Sequence, residues 1–300
     1  MSHFTVMVIG PDHEAQLAPY HEFECTGVAD QYVVDVDITD EFRDVMVNAE
    51  EDAEEGQSAL DYALGYYGFK DRTVEDESEV DREGVHKFGF AVVRDGELIQ
   101  AVSRTNPNNQ WDWYIVGGRW TGMLKLKPGA KGVQGSPGLG TQGAKRRYAD
   151  QARMGDIDWA GMRDEAGEKA GVYWDRVRAL APNVWESWDS VISRFPGDTD
   201  GARNFYHNQT GRQALHQAKD LFWCEDSVLV GREEYVQAAR DSAGMTYAFV
   251  KDSVWMERGS MGWWGMSTDD MPKNEWYARM REMIDGLDES TLITIVDCHI

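Results

Sequence analysis

The chain of 300 residues has a hydrophobic fraction of 42% and a formal net charge of −23 at pH 7. This length and apolar content suffice for a sizeable core and argue against wholesale disorder. The negative charge disfavours direct binding to nucleic acid or to an anionic membrane by general electrostatic attraction. Two interpretations of the charge stay open: a solubilising surface, or a surface for a protein partner that is basic or binds nucleic acid.

The chain contains no apolar run long enough to cross a bilayer. Its start has the pattern of a strand and lacks the basic region of a signal peptide. The three cysteines, Cys25, Cys224 and Cys298, are too few and too scattered for a disulfide framework. We therefore expect a cytoplasmic protein. No cofactor is predicted.

The first part of the chain mixes strands, helices and loops. Residues 4–9 are apolar on both faces of a strand, which predicts a central place in a sheet. Residues 12–27, with a proline inside and one just before, predict a loop. The remaining elements predicted up to residue 103 are helices at 40–55 and 58–67 and a hairpin of 87–93 and 98–103 that turns at Asp95-Gly96.

The middle of the chain contains a glycine-rich stretch and a long helical region. Strands at 111–116 and 119–126 are predicted on either side of Gly117-Gly118. Residues 128–143 have many glycines and little apolar content, which predicts a flexible loop. Residues 156–242 carry apolar residues at three- and four-residue steps, which predicts a helical insertion.

The last part of the chain returns to strands. The predicted elements are strands at 246–250 and 254–258, a helix at 274–287 and a final strand at 292–296, apolar on both faces. Together, the elements predict a single α+β domain over residues 1–300. Its central sheet is expected to be mixed, largely antiparallel, and to contain both termini.

Charge is distributed unevenly along the chain. Residues 35–83 contain 18 Asp and Glu against 4 Lys and Arg, whereas residues 119–153 contain 8 basic residues against one acid, Asp150. Such asymmetry can mark an interaction surface, or the two stretches can face each other or be solvated separately.

Three motifs resemble known binding sites, and each departs from its pattern. Residues 138–143 match G-x-G-x-x-G, but they lie in a loop, away from the strand–helix junction that binds a pyrophosphate. Residues 198–201 have an Asp-x-Asp-Gly core without the glutamate of a calcium loop. His21 and Cys25 belong to an H-E-x-x-C near-miss of a zinc site, so they are weak metal candidates and no structural metal is expected.

Tryptophan is abundant, at 12 residues. Trp263 and Trp264 form a glycine-flanked pair, which is a candidate anchor for a protein partner because tryptophan is enriched at interface hot spots. The alternative is that these rings cover the core beneath long loops.

Several segments resemble a family of hypothetical proteins from bacteriophages, prophages and actinobacteria. They are residues 1–10 and 16–20, the WDWY and GGRW-x-G segments within 111–122, and TLITIVDCHI at 291–300. The resemblance covers both ends and the middle of the chain. It implies no activity. It implies a phage or prophage setting, in which the protein would lie in the host cytoplasm and act as an accessory protein that binds a host protein, such as a component of a defence complex.

An enzymatic alternative is a polar pocket that acts on a small anionic substrate. The candidate catalytic residues are His3, Asp112, Arg119, Asp297, Cys298 and His299. Within this set, a tight turn at Gly117-Gly118 would place Arg119 across from Asp112 as a partly buried ion pair. Whether the protein is an enzyme is left open by the sequence.

Overall fold

The computed structural model describes residues 2–22, 30–54, 56–143, 145–218, 220–221, 224–261, 267–268 and 270–300. Its α-helices, in chain order within these ranges, are α1 (His13–Leu17), α2 (Thr39–Asp52), α3 (Ala59–Tyr66), α4 (Trp159–Leu180), α5 (Trp188–Arg194), α6 (Thr199–Asn208), α7 (Thr210–Gln217), α8 (Arg232–Ser242) and α9 (Lys273–Asp285). Its strands there are β1 (His3–Ile9), β2 (Val34–Asp37), β3 (Thr73–Val74), β4 (Gly89–Arg94), β5 (Glu97–Thr105), β6 (Trp113–Gly118), β7 (Leu124–Lys125), β8 (Ser136–Pro137), β9 (Tyr148–Ala149), β10 (Gln151–Arg153), β11 (Ala248–Lys251), β12 (Val254–Glu257), β13 (Ser260–Met261), β14 (Ser267–Thr268) and β15 (Leu292–His299).

The central sheet contains both ends of the chain, and the predicted α+β class is confirmed. Its strand order is β12-β11-β1-β15-β6-β8, and β10 pairs with β15 beside β6. β1 runs antiparallel to β15 and parallel to β11, so the sheet is mixed. The continuous apolar run of β1 suits this place, because both of its faces are covered.

Two apolar clusters cover the two faces of the central sheet. One face presents Met7 and Ile295 to α9, where Trp276, Met280 and Ile284 repeat at four-residue steps and are almost fully buried. The opposite face, with Phe4, Val6 and Val296 among its residues, forms a second cluster. Because side chains alternate along β1 and β15, each strand contributes to both clusters.

A second sheet, in the order β2-β5-β4-β3, is formed by residues 34–105. The predicted hairpin is its centre, and Asp95 and Gly96 have φ angles of 52° and 83°, as a two-residue turn requires. Helices α2 and α3 pack on it around Phe42. The pattern of residues 34–105 identified strands but did not specify that they pair in a sheet of their own.

Helices α4 to α8 occupy the predicted insertion and have a core of their own, which includes Val177, Val191 and Leu215. Helix α4 begins after Asp158, whose side chain accepts a hydrogen bond from the Gly161 backbone N–H. Within the described ranges no helix is both long enough and apolar enough to cross a membrane.

Two local predictions need correction. The predicted loop at 12–27 contains α1, whose N-cap Asp12 accepts a hydrogen bond from the Ala15 N–H. The predicted strand at 119–126 is wrong except for the short β7, since the chain turns after Gly118 and β7 pairs with β9 instead of β6.

The glycine-rich segment at 128–143, predicted to be a flexible loop, approaches the end of β6 closely at two glycines, although most of its residues are exposed. Gly135 and Gly138 lie so close to the β6 backbone that a Cβ atom at either position would overlap it. The Ser136–Pro137 strand pairs with Gly117 and Gly118. Glycine here allows close backbone approach, which the sequence alone does not distinguish from flexibility.

Candidate functional site

Two histidine–aspartate pairs lie side by side on the central sheet. The Nδ1 atom of His3 is 2.8 Å from Oδ1 of Asp297, and the Nδ1 atom of His299 is 2.7 Å from Oδ1 of Asp112. The centroids of the two imidazole rings are 5.1 Å apart. Four predicted candidates, from the two ends and the middle of the chain, therefore come together.

The register of three strands explains this convergence. In the antiparallel pair of β1 and β15, His3 lies opposite His299 and Thr5 lies opposite Asp297. In the next pair, Trp113 of β6 also lies opposite His299. Because alternate residues share a face, His3, Asp297, His299 and Trp113 lie on one face, at the end where β1 begins and β15 ends.

Asp297 is almost fully buried and holds two parts of the chain. Its Oδ1 bonds to His3, and its Oδ2 accepts a hydrogen bond of 2.8 Å from the backbone N–H of Arg119. Gly118 lies directly against the Asp297 side chain, with a φ of 54° that favours glycine. The carboxylate is thus fixed from two sides.

The second pair is covered by Trp113. The indole stacks on the His299 ring at 4.9 Å and meets the edge of the His3 ring at 5.3 Å, while 40% of Trp113 remains exposed. His299 is buried, and its Nε2 has no hydrogen-bond partner within the described residues. A buried nitrogen without a partner is uncommon in folded proteins and indicates a place where a further polar group could bind.

Comparisons of the chain with protein-family models, with curated proteins and with solved structures give no match. The resemblance to phage, prophage and actinobacterial proteins therefore stays a prediction. Residues 1–10, 111–122 and 291–300, which carry that resemblance, supply every residue of the two histidine–aspartate pairs.

Arg119 lies beside the pairs in a way that the sequence did not predict. Its side chain is exposed and forms no ion pair with Asp112 or with any other described carboxylate, whereas its backbone N–H contacts Asp297. The expected Arg119–Asp112 ion pair is therefore wrong. The chain turns after Gly118 and carries the guanidinium outward, and Asp112 already pairs with His299.

Because the contact to Asp297 comes from the backbone, Arg119→Ala should retain it. We expect the unfolding free energy to change by less than about 0.5 kcal/mol, as for other exposed side chains without a partner. Thermal unfolding followed by circular dichroism measures this. A melting temperature lower by more than about 5 °C would show that the guanidinium is a structural partner after all.

Cys298 does not belong to the site. It lies between Asp297 and His299 on β15, so its side chain points to the opposite face and packs with Phe4 and Val296. Burial raises the pKa of the Cys298 thiol well above its usual value. A thiol that stays protonated is a poor nucleophile, which removes Cys298 from the catalytic candidates.

The Cys298 thiol should therefore resist alkylation by iodoacetamide at pH 8 in the folded protein and react after unfolding in urea. The pKa of this thiol is higher in the folded than in the unfolded chain, so deprotonation favours the unfolded chain. The contribution of the protonated thiol to the free energy of unfolding is therefore present below pH about 9 and is lost as the pH rises above it. Peptide mass mapping separates Cys298 from Cys25 and Cys224. Rapid native alkylation of Cys298 would contradict its burial.

The other candidates have separate places. His21 donates a 2.7 Å hydrogen bond from its Nε2–H to the backbone carbonyl of Asp112, and its ring packs on Trp111. Cys25, Trp263 and Trp264 lie outside the described residues, so the metal and partner-binding predictions for them stay open. Among the described side chains, no group of three or more His, Cys, Asp or Glu could hold a metal ion.

The two remaining motifs do not have the geometry of the sites that they resemble. Residues 138–143 lie between β8 and β9, with no strand-to-helix junction of the kind that binds a dinucleotide. Asp198 caps helix α6 by accepting a hydrogen bond from the Gly201 N–H. Its Asp-x-Asp-Gly pattern is thus a helix cap.

Proposed function

We propose that the two histidine–aspartate pairs perform general acid–base catalysis on a small anionic substrate. The observation that carries this proposal is the bonding of each imidazole through Nδ1 to a carboxylate. An ionised carboxylate can only accept a hydrogen bond, so Nδ1 carries the proton and Nε2 keeps a lone pair in each neutral ring. This is the tautomer that a histidine base requires.

His3 is the better placed base. Its side chain keeps 11% exposure, whereas the side chain of His299 keeps 7% and its Nε2 is fully buried. Asp297 orients His3 and stabilises the imidazolium that forms when Nε2 takes a proton. His299 and Asp112 lie beside His3 and support its ring from the side.

Arg119 supplies the preference for an anion. Its exposed guanidinium is free of ion pairs within the described part of the chain, and its backbone N–H is 2.8 Å from Asp297. It begins the basic stretch 119–153. A guanidinium that has no protein carboxylate can offer its planar donors to a carboxylate or phosphate of a substrate.

Anion binding is tested by NMR titration of the protein with inorganic phosphate and with malonate. We expect at least one probe to shift the His3 ring signals and the Arg119 amide together, and the shift to be lost in Arg119→Ala. Lys131→Ala is the matched control, because Lys131 is another exposed basic residue of the same stretch without an ion pair among described residues. Equal binding by Arg119→Ala and the unaltered protein would overturn the role of Arg119.

The base itself is tested with diethyl pyrocarbonate, which acylates the lone-pair nitrogen of a neutral imidazole. We expect His3 to be modified faster than His299, because its ring is the more exposed. Asp297→Asn should change the rate at which His3 is acylated, because the carboxylate that orients its ring is lost. A His3 ring that does not react in the folded protein would contradict its role as an accessible base.

A second proposal is the binding of a basic host protein. It is supported by exposed acidic side chains on the unit built around the second sheet, among them Asp40, Glu41, Asp44, Asp61 and Glu75. Complementary charge of this kind accelerates association and loses effect as salt screens it. Pull-down from a host lysate, compared with an Asp40→Lys/Glu41→Lys/Asp44→Lys variant, tests it. Capture of the same partner by both proteins would count against an acidic docking face.

A further inference from the structure

Asp150 is a buried carboxylate that the two histidine–aspartate pairs do not include. It has no exposed surface, and none of the ion pairs among the described residues involves it. Its Oδ1 accepts a hydrogen bond of 2.5 Å from the Gly122 N–H. Its Oδ2 accepts 2.9 Å and 2.8 Å bonds from Thr121 Oγ1 and the Gly135 N–H. Three donors therefore replace the water that an ionised carboxylate would otherwise bind.

These donors belong to two segments that meet at the end of β6. Thr121 and Gly122 complete the turn that begins at Gly117, and Gly135 belongs to the glycine-rich segment. Gly117 is in close contact with the Asp150 carboxylate and has a φ of 86°. The Asp150 backbone is tied to β15 as well, since its carbonyl accepts a 2.8 Å hydrogen bond from the Ile295 N–H.

The same turn presents the Arg119 N–H to Asp297. Gly118 and Arg119 lie between Gly117, where an added Cβ atom would lie 2.7 Å from Asp150 Oδ2, and Thr121, whose hydroxyl donates to Asp150. The Arg119 N–H can donate to Asp297 Oδ2 only while residues 117–122 keep this turn conformation. The Asp150 side chain forms no hydrogen bond with Asp297 or His3 within the described residues, so the influence of its carboxylate passes through the turn.

We propose that Asp150 is a positioning residue for the His3–Asp297 pair. It fixes the turn of residues 117–122, the turn fixes the Asp297 carboxylate through the Arg119 N–H, and Asp297 fixes His3. The catalytic meaning of this arrangement rests on the proposed function. The mechanical link between Asp150, Arg119 and His3 does not, and it can be measured on the protein without any ligand.

The test is Asp150→Asn, which keeps the shape of the side chain and removes its charge and one acceptor oxygen. We expect hydrogen exchange at the Arg119 amide to become about tenfold faster as its bond to Asp297 loosens. We also expect the ¹⁵N spectrum of the His3 ring to lose part of its Nδ1-protonated form. Amides of β11 and β12, on the far side of the sheet, should keep their relative exchange rates.

Asp226→Asn is the matched control. Asp226 also accepts three hydrogen bonds, from Trp185 Nε1, the Tyr206 hydroxyl and the Trp188 N–H, but it lies in the helical insertion. It should destabilise the insertion and leave the Arg119 amide and the His3 ring unchanged. If Asp150→Asn lowers stability but leaves the Arg119 amide and the His3 ring unchanged, as Asp226→Asn is expected to, Asp150 is a structural residue and the proposal fails.

If Asp150→Asn does not fold, Thr121→Val decides, because it removes only one of the three donors. Faster exchange at Arg119 in Thr121→Val supports the link, and an unchanged rate overturns it. Failure of the proposed function is a different result. In that case inorganic phosphate and malonate do not shift the NMR signals of the unaltered protein, while the effect of Asp150→Asn on the Arg119 amide and the His3 ring persists.

Discussion

Asp297→Ala should lower the free energy of unfolding by about 3 kcal/mol. The substitution removes the acceptor of two donors, His3 Nδ1 and the Arg119 N–H, at a position that is 1% exposed. A buried donor left without a partner costs about 1–3 kcal/mol, because it has given up water without gaining a replacement. Urea denaturation monitored by tryptophan fluorescence measures the loss.

Asp112→Ala is the comparison for this prediction. Asp112 pairs with His299 in the same way, but its side chain is 37% exposed, so water can replace the lost acceptor. We expect a cost of about 1 kcal/mol or less for Asp112→Ala, since exposed polar interactions contribute little. Equal costs for the two variants would mean that Asp297 is no better shielded from water than Asp112. The account of a fixed, buried carboxylate would then be wrong.

The structure brings His3, Asp112, Asp297 and His299 together and turns Cys298 away from them, and β15 explains why. The apolar pattern ends at Val296, so the predicted strand ended there, whereas the structure continues β15 to His299. Alternation over the longer strand sends Cys298 to the apolar face and leaves Asp297 and His299 together. Residues 297–299 lack the apolar pattern of a strand. They extend β15 because they pair with β1 and β6, which are distant in sequence.

The turn at residues 117–122 shows a different limit of local patterns. Residues 119–126 were predicted as a strand, but the carboxylate of Asp150, from a distant part of the chain, binds Thr121 and Gly122 and stabilises a turn. A long-range contact of this kind has no local signature. The one available signal was that Asp150 is the single acid of a basic, glycine-rich stretch. The stacking of Trp113 on His299 was likewise missed, because it depends on strand register.

Gly118→Ala should cost about 3 kcal/mol of unfolding free energy, for two separable reasons. The residue has a φ of 54°, which costs an L-residue about 1 kcal/mol. A Cβ atom at this position would also overlap the Asp297 side chain, whose Cγ would lie 2.7 Å away. Asp297 cannot swing aside without losing its bonds to His3 and Arg119, so relief of the overlap should cost about 1–3 kcal/mol more.

Gly140→Ala separates the two contributions to the Gly118 effect. Gly140 also has a positive φ, of 76°, but its Cβ would meet no atom within 4 Å. We therefore expect only the conformational cost of about 1 kcal/mol for Gly140→Ala. The excess loss in Gly118→Ala then reports contact with Asp297, and the Arg119 amide should shift in that variant alone. If both variants lose the same stability, the turn can move away from Asp297 at little cost. Backbone contact at Gly118 would then have no part in holding the His3–Asp297 pair.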